Sequence, residues 1–387
     1  MRLQTRFFLR LLLILGAVAL ATALRLRGVE LLPADYDEDN YLRAGQQYAA
    51  AMRSGDWELV LTQDELSEHP PVAKLIYGAV LLTLPPTPLI PERGLSEPPD
   101  EDLPEPHATR ARLAATAFGI GSVALLAVVD PLAATLLAIG TWPIKYSSQI
   151  YIEAQAAFFA LAAVLCYTRS RGISRGWLLA SAVLVGLTAA TKYVYGVVAV
   201  AIVLDWLLSG RWPGRFVGRI GSDPSGWRAR GRFLPHLALW AAVALGVFFL
   251  ADPQLWSDPI ERMRNSLAFH QQYATGASVA QAGYPVGQPL IWLTQSVPWH
   301  PGVFLIEPDA VVTILAALGL PIAFVLRRVF ALWLLAGLVF LVLWPTKWPQ
   351  YTLVLYTPLA LVAAEGARWL ASLAWRAIAQ LRRYRPA

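Results

Sequence analysis

Apolar residues occur along this chain in long continuous runs, separated by short polar segments and two large loops. The runs are about 17–25 residues long, the length at which an α-helix crosses the hydrocarbon core of a bilayer. Their continuity excludes a membrane β-barrel, whose strands alternate apolar and polar positions. The pattern predicts an all-α polytopic membrane protein of about ten spans, near 8–26, 110–129, 131–148, 152–168, 177–191, 194–209, 233–251, 309–326, 329–345 and 351–372.

Composition supports the same class of protein. Of the 387 residues, 56% are hydrophobic and only 15% are charged, whereas soluble domains carry about 25% charged residues. The single cysteine, Cys166, excludes an intramolecular disulfide and a multi-cysteine zinc site. The net charge of +6 does not indicate nucleic-acid binding, because the basic residues are clustered between spans. A soluble enzyme, a nucleic-acid binder and a disulfide scaffold are therefore excluded.

The basic residues predict the orientation of the spans. With the N-terminus in the cytoplasm, 17 of the 32 basic residues fall in cytoplasmic segments, as the positive-inside rule requires. Arg25 and Arg27 are exceptions on the outer side. The first run could be a cleaved signal peptide, but its length favours a retained signal anchor. We expect a multi-pass protein of the cell (inner) membrane with both termini in the cytoplasm.

The chain is predicted to divide into five parts with two large outer loops. The first loop carries 16 of the 26 acidic residues and a net charge of −12. It contains a predicted helix over 36–53, a surface helix over 72–84 and a proline-rich linker over 85–106. In the second loop, Asp258, Pro259 and Glu261 form a capping pattern for a helix that stops at Gly276. The parts are a signal-anchor first span (1–27), the acidic outer loop (28–108), spans two to seven (109–251), the second outer loop (252–308), and the last three spans with a basic tail (309–387).

Ionisable residues gather where the predicted spans meet the outer membrane face. Charged groups at membrane depth are costly and are candidates for function. Each residue alone has an ordinary explanation, because lysine and arginine at helix ends commonly extend to the interface and acidic runs are commonly solvated. His69 and His300 could equally belong to ordinary turns. The residues at this level are Asp37, Glu38, Arg110, Arg112, Lys145, Glu153, Lys192 and Lys347.

Taken together, these groups suit the transfer of a group from a lipid phosphate. A carboxylate can act as a general base or hold a divalent cation. Cations on neighbouring helix ends can bind a phosphate and neutralise the charge that develops as it leaves. An apolar helical bundle beside them would accommodate the lipid chain.

The order of several short motifs resembles the GT-C glycosyltransferases, in particular the protein O-mannosyltransferases and the aminoarabinose transferases that modify lipid A. The resemblance runs from about residue 5 to 372. The chain departs from that pattern in a very short turn at Asp130-Pro131, in its shorter length and in having no C-terminal soluble domain. Five elements match. The first loop supplies Asp37-Glu38 with Tyr41 and Ala44, and then Glu68-His69-Pro70-Pro71 with Lys74. The corner between the third and fourth spans supplies Pro143, Tyr146, Ser147 and Glu153; the fifth span supplies Gly186 and Thr191-Lys192-Tyr193; and the start of the last span supplies Lys347-Trp348-Pro349-Gln350-Tyr351 with Pro358.

The resemblance implies an inverting glycosyltransferase with a polyprenyl-phosphate sugar donor and a protein, glycan or lipid acceptor. Asp37 is expected to be the general base, and Glu38 and Glu153 to orient the acceptor. A divalent cation, Mg²⁺ or Mn²⁺, is optional, with Asp37 and Glu153 as its candidate ligands. The expected substrate-binding residues are His69, Lys74, Arg112, Lys145, Lys192, His300, Lys347 and Tyr351.

Two other functions remain open from the residues alone. A transporter or lipid flippase could line a path with the same charges, although transporters tend to place them near the midplane of paired, broken spans. A non-catalytic membrane scaffold would leave the concentration of acids and cations unexplained.

Overall fold

A computed structural model of the protein describes residues 2–63, 65–93, 102–170, 175–209 and 226–383. The chain in these ranges is helical and contains no β-strand, which confirms the expected all-α class. Its α-helices are α1 (Arg2–Leu31), α2 (Glu38–Ser54), α3 (Trp57–Thr62), α4 (Val72–Leu81), α5 (His107–Val129), α6 (Pro131–Ile139), α7 (Thr141–Ser148), α8 (Glu153–Ser170), α9 (Arg175–Thr191), α10 (Val197–Ser209), α11 (Gly226–Ala251), α12 (Pro259–Ala274), α13 (Ala277–Ala282), α14 (Gln288–Thr294), α15 (Asp309–Leu326), α16 (Arg328–Leu343) and α17 (Leu353–Arg383).

Several of these helices are long and apolar enough to cross a bilayer, so the chain is a multi-pass membrane protein. Within the described ranges there are four such helices, or five if a bent pair counts as one span. The other apolar helices are 10–17 residues long, and the predicted count of ten spans is not confirmed. The four are Phe7–Leu31, His107–Val129, Asp309–Leu326 and Pro349–Leu381.

The predicted third span, 131–148, is broken into two helices at Gly140. Pro143 explains the break, because its ring would clash with the carbonyl group four residues earlier in a continuous helix. α7 instead begins at Thr141 with the proline in its first turn. The chain then bends by 116° between α7 and α8. This bend brings the end of α7 and the start of α8 to one end of the bundle.

The helices predicted in the outer loops are present. α2 occupies nearly the predicted 36–53, and α4 ends three residues before the predicted 84. α12 begins as its sequence indicates, with Pro259 in its first turn and the Asp258 carboxylate accepting a hydrogen bond from the backbone N–H of Glu261 at 2.9 Å. The basic segments 171–174, 210–225 and 384–387 and part of the linker, 94–101, lie outside the described residues. The predicted orientation in the membrane therefore stays a prediction.

Long helices pack around a core of small residues. α1 packs against α5 and α6, α8 against α5 and α9, and α15 against α17. The last contact depends on glycine, because a Cβ at Gly319 would lie 2.1 Å from the Val362 carbonyl oxygen. Close packing of this kind fixes the helix ends relative to one another. The end of α7 and the segments that follow α1, α7 and α9 meet beside the segment before α17 and line a large cavity.

Candidate active site

A cavity of about 760 Å³ lies between these helix ends and the two loops that cover them. Ligand pockets of small molecules have volumes of about 300–1,000 Å³, so this one is large enough for a sugar and its phosphate. Its charged and ring-bearing lining residues come from seven separate stretches of sequence: Asp35, Tyr36, Asp37, Tyr41, Glu68, His69, Arg93, Lys145, Tyr146, Tyr151, Lys192, Phe269, His270, Tyr273, Tyr284, Trp348 and Tyr351.

Asp37 lines this cavity at the N-cap position of α2. Its carboxylate accepts a hydrogen bond from the side-chain amide of Gln350 at 3.3 Å and forms no ion pair with any described residue. Burial raises its pKa from 3.8 to about 7, an effect that the charge of Lys192 partly opposes and the charge of Glu153 reinforces. A carboxylate with this pKa can both accept and release a proton near neutral pH.

Glu38 does not reach the cavity. Consecutive residues of an α-helix project about 100° apart, so Asp37 and Glu38 point in different directions. The Glu38 carboxylate is fully buried and is paired with Arg112, whose Nη2 lies 2.6 Å from Oε2. It also accepts backbone hydrogen bonds from Ile150 at 2.7 Å and Asp35 at 2.9 Å. Both carboxylate oxygens are thus occupied, and the pair joins the start of α2 to α5.

Arg112 is likewise placed outside the cavity lining. Besides Glu38, its guanidinium donates hydrogen bonds to the backbone carbonyl groups of Val29, Leu32 and Pro33 at 2.9–3.3 Å. These carbonyls lie at and just beyond the end of α1, where helical partners are missing. Arg112 therefore closes the end of the first helix and does not line the cavity.

Lys192 lines the cavity at the point where α9 ends. Its ammonium forms a buried ion pair with Glu153, the first residue of α8, and lies 4.9 Å from the centre of the Tyr351 ring. Glu153 itself lies behind Lys192 rather than in the cavity lining, and its second oxygen has no hydrogen-bond partner among the described residues. Lys192 and Tyr351 thus lie together in the cavity lining, and the Glu153 carboxylate holds the Lys192 ammonium from behind.

Lys145 provides a second ammonium group in the cavity. Its Nζ lies 2.7 Å from the Asp35 carboxylate and 5.1 Å from the centre of the Tyr146 ring. The Tyr151 hydroxyl donates to the same carboxylate at 2.9 Å. The 116° bend after α7 makes this arrangement, because it turns Tyr151 back toward Lys145.

The Glu68-His69-Pro70-Pro71 motif contributes Glu68 and His69 to the cavity, and the nearby Lys74 holds the loop beneath it. His69 lines the cavity 6.0 Å from the Tyr41 ring, and burial lowers its pKa well below 6.5, so the ring is neutral at physiological pH. Lys74 is buried, and its ammonium donates to the carbonyl groups of Glu65, Leu66 and His69 at 2.8–2.9 Å. Lys74 shapes the loop instead of contacting the cavity.

Two further predicted residues are not brought to the cavity. The Lys347 ammonium donates to the carbonyl groups of Val342 and Trp344 at the end of α16, where the last carbonyls lack helical partners. His300 accepts a hydrogen bond from the backbone of Gly302 at 3.3 Å within its own turn. Both side chains are used locally.

Several cavity residues were not predicted from the sequence. Arg93 pairs with Asp39 at 2.7 Å and lies 4.4 Å from the centre of the Tyr36 ring. It is one of four basic residues in a loop with 16 acidic ones, and that rarity was a usable signal. Trp348 lies within the Lys347–Tyr351 motif, whereas His270 and Tyr273 gave no such signal, since aromatic residues are expected wherever a loop meets a membrane surface.

The described residues offer no ready metal site. They contain no group of three or more histidine, cysteine, aspartate or glutamate side chains arranged to hold an ion. Of the two candidate metal ligands, Asp37 lines the cavity, whereas Glu153 lies outside the lining and pairs with Lys192. The metal requirement stays a prediction.

Comparison with solved structures identifies the fold. The chain superposes on ArnT from Cupriavidus metallidurans bound to undecaprenyl phosphate with a TM-score of 0.58 and 16% identity, over 95% of this chain and 63% of ArnT. The apo form gives the same TM-score and identity, over 98% and 64%. A weaker likeness, with a TM-score of 0.46 and 17% identity over 65% of this chain and 34% of the other, is to the S. cerevisiae protein O-mannosyltransferase Pmt1-Pmt2 complex bound to the sugar donor.

These comparisons confirm the expected GT-C-like fold. The chain spans less than two thirds of the length of either ArnT structure. No family model and no curated protein matches it.

Proposed function

We propose that this chain is a glycosyltransferase that moves a sugar from a polyprenyl-phosphate donor to a hydroxyl acceptor at the outer face of the membrane. The observation that carries the proposal is Asp37, a carboxylate with a pKa of about 7 in a cavity that also holds Lys145 and Lys192. The fold supports it, because ArnT, which shares that fold, binds undecaprenyl phosphate.

In the proposed reaction the acceptor hydroxyl gives its proton to the Asp37 carboxylate. The acceptor oxygen attacks the anomeric carbon from the face opposite the phosphate, and the bond between that carbon and the phosphate oxygen breaks. The bonding electron pair stays with the departing polyprenyl phosphate, so the configuration at the anomeric carbon inverts. Proton removal by a positioned base contributes about 10²–10⁴-fold to such reactions.

Lys192 and Lys145 would stabilise the departing phosphate. An ammonium group has three N–H donors, and the Lys192 ammonium uses one on Glu153 while resting over the Tyr351 ring. Its other donors can reach a phosphate oxygen. Charge-assisted hydrogen bonds of this kind contribute about 1.5–3 kcal/mol each. Glu153 then acts as a positioning residue that holds the Lys192 ammonium at the cavity wall.

A test of the phosphate role has to avoid leaving a buried charge alone. Removing one partner of a buried ion pair costs about 3–5 kcal/mol, whereas replacing both is far less harmful. We therefore choose the double variant Lys192→Gln/Glu153→Gln, which keeps size and neutrality. Transfer from a radiolabelled polyprenyl-phosphate sugar in membrane vesicles should fall about 10- to 100-fold, the range that one or two charge-assisted contacts give.

Lys347→Gln is the matched lysine control, because its ammonium binds the end of α16 outside the cavity. It should retain transfer per folded molecule. Equal activity of the double variant and the wild type would reject the phosphate role of Lys192. Movement of the intact labelled lipid across the vesicle membrane, without cleavage of its glycosidic bond, would contradict the transferase proposal and support a flippase.

A further inference from the structure

A continuous chain of aromatic rings forms one wall of the cavity. The rings of Phe269 and Tyr273 stack with centroids 5.9 Å apart, and Tyr273 contacts Trp348 at 6.4 Å. Trp348 in turn meets Tyr284 edge-on at 6.2 Å. All four rings line the cavity. The wall is thus assembled from α12, from the turn after α13 and from the segment before α17.

This aromatic wall leads directly to Asp37. Trp348 lies two residues before Gln350, and the Gln350 amide donates to the Asp37 carboxylate at 3.3 Å. A molecule packed against the Trp348 ring therefore shares the cavity with the proposed base. In the proposed reaction the donor phosphate lies beside Lys192, whose ammonium rests over the Tyr351 ring. The lysine and arginine side chains of the described lining, Arg93, Lys145 and Lys192, come from other segments of the chain than the four rings of the wall.

The polar groups that the second outer loop brings to the described cavity lining are uncharged. The second outer loop contributes Ser278 and Gln281 of α13 to the lining, and it contributes no lysine, arginine, aspartate or glutamate there. Its only titratable lining group besides tyrosine is His270, and burial lowers the pKa of that ring, which is neutral at pH 7. Hydroxyl and amide groups both donate and accept hydrogen bonds.

This combination fits a sugar better than a phosphate or a peptide. A pyranose has apolar C–H faces that pack on aromatic rings, and a rim of hydroxyl groups that suits serine and amide partners. A phosphorylated acceptor would need cations beside the wall, and the loop that supplies three of its four rings contributes no lysine or arginine to the described lining. An extended peptide carries a row of backbone N–H and C=O groups that need hydrogen-bond partners, and α13 brings only two side chains of that kind, Ser278 and Gln281, to the described lining.

We propose that the acceptor is itself a sugar, in a glycan or a glycolipid headgroup, which packs on the wall formed by Phe269, Tyr273, Trp348 and Tyr284 and presents a hydroxyl to Asp37. The inference rests on the proposed glycosyl transfer. In that step the sugar hydroxyl loses its proton to Asp37, its oxygen forms the new glycosidic bond, and polyprenyl phosphate leaves with the electron pair of the broken bond.

Saturation-transfer NMR on the full chain in nanodiscs tests this directly, because it detects sugar C–H groups that touch irradiated aromatic protons. The probes are neutral di- and trisaccharides of mannose, glucose, galactose and arabinose, the same sugars on a diacylglycerol anchor, and a Ser/Thr peptide. At least one saccharide should bind, and Trp348→Ala should weaken its binding about 10-fold, as the loss of a stacked ring does. Stronger binding of the anchored sugars identifies a glycolipid acceptor, and equal binding identifies a glycan.

Two variants control for loss of structure. Trp348→Phe keeps a ring and should keep most of the binding. Trp299→Ala removes a tryptophan of the second outer loop that is 48% exposed and lies outside the cavity lining, and this variant should bind as the wild type does. Binding of the peptide with none of the saccharides, or saccharide binding unchanged in Trp348→Ala, would overturn the inference.

Thermal stabilisation by undecaprenyl phosphate, measured in the same samples, separates this inference from the proposed function. If undecaprenyl phosphate stabilises the protein while every saccharide fails to bind, the inference of a sugar acceptor is rejected and the proposed use of a polyprenyl-phosphate donor is retained. If the saccharides bind at the aromatic wall while undecaprenyl phosphate has no effect, the proposed donor is wrong and the sugar site stands.

Discussion

Replacing Asp37 with asparagine should abolish activity and stabilise the protein at the same time. Asparagine keeps the size of the side chain and can still bond to Gln350, but it cannot accept the proton of an acceptor hydroxyl. The turnover rate should fall by about 10²–10⁴. In the wild type, the rate should rise with pH around the Asp37 pKa of about 7, because only the ionised carboxylate acts as a base.

The stability effect follows from the same pKa. The folded value of about 7 lies above the ordinary value of 3.8, so the folded state binds the proton more tightly than the unfolded state. The contribution of Asp37 to stability is therefore fully present below pH 4 and is lost as the pH rises through about 7. One pKa unit corresponds to about 1.4 kcal/mol. The full difference is about 4 kcal/mol, which solvent screening at this partly exposed carboxyl reduces to about 2–4 kcal/mol.

The asparagine side chain does not titrate, so the stability of the Asp37→Asn variant relative to the wild type should increase as the pH rises. The thermal midpoints of the two proteins in detergent should differ little at about pH 4.5, and the variant should be higher by about 2–6 °C at about pH 8. Transfer activity is measured in parallel on each preparation. Asp258→Asn is the matched control: it changes an N-cap aspartate outside the cavity to a residue that caps equally well, and both activity and midpoint should be unchanged.

Two outcomes would refute this reasoning. An active Asp37→Asn variant would show that Asp37 is not the base. An inactive variant whose midpoint lies below that of the wild type at every pH would show that Asp37 supports the fold and that its loss of activity is indirect.

Three further outcomes are expected. Glu38→Gln should lower the free energy of unfolding by about 3–5 kcal/mol, since it leaves Arg112 buried without its counter-charge, and a midpoint equal to that of the wild type would contradict the structural role. Cysteines introduced singly within 91–106 and 211–230, after replacement of Cys166, should be labelled from opposite sides of the membrane by an impermeant reagent; labelling from one side would contradict the predicted topology. Chelation of divalent cations should leave transfer unchanged, because Lys145 and Lys192 already place positive charge in the cavity, and loss of activity that Mn²⁺ or Mg²⁺ restores would require a metal at Asp37.

The sequence alone predicts the helical elements well, because their causes are local. A bilayer leaves no water for the backbone, so continuous apolar runs must become helices, and α5 and α15 lie almost where their runs predict. The start of α12 has an equally local cause, since the Asp258 carboxylate accepts a hydrogen bond from the N–H group of Glu261, only three residues further along the chain. The presence of cations and carboxylates near the same helix ends was also visible, and Asp37, His69, Lys145, Lys192 and Tyr351 do meet in the cavity.

Only the tertiary structure decided which partner each charged side chain takes. Glu38 and Asp37 are neighbours in sequence, yet one is locked to Arg112 and the other faces the cavity. Lys347 resembled Lys192 in its position at the end of a helix, but its ammonium binds nearby carbonyls. The reason is that periodicity and charge counts record distances along the chain, whereas an ion pair or a cavity wall depends on how helices far apart in sequence pack together.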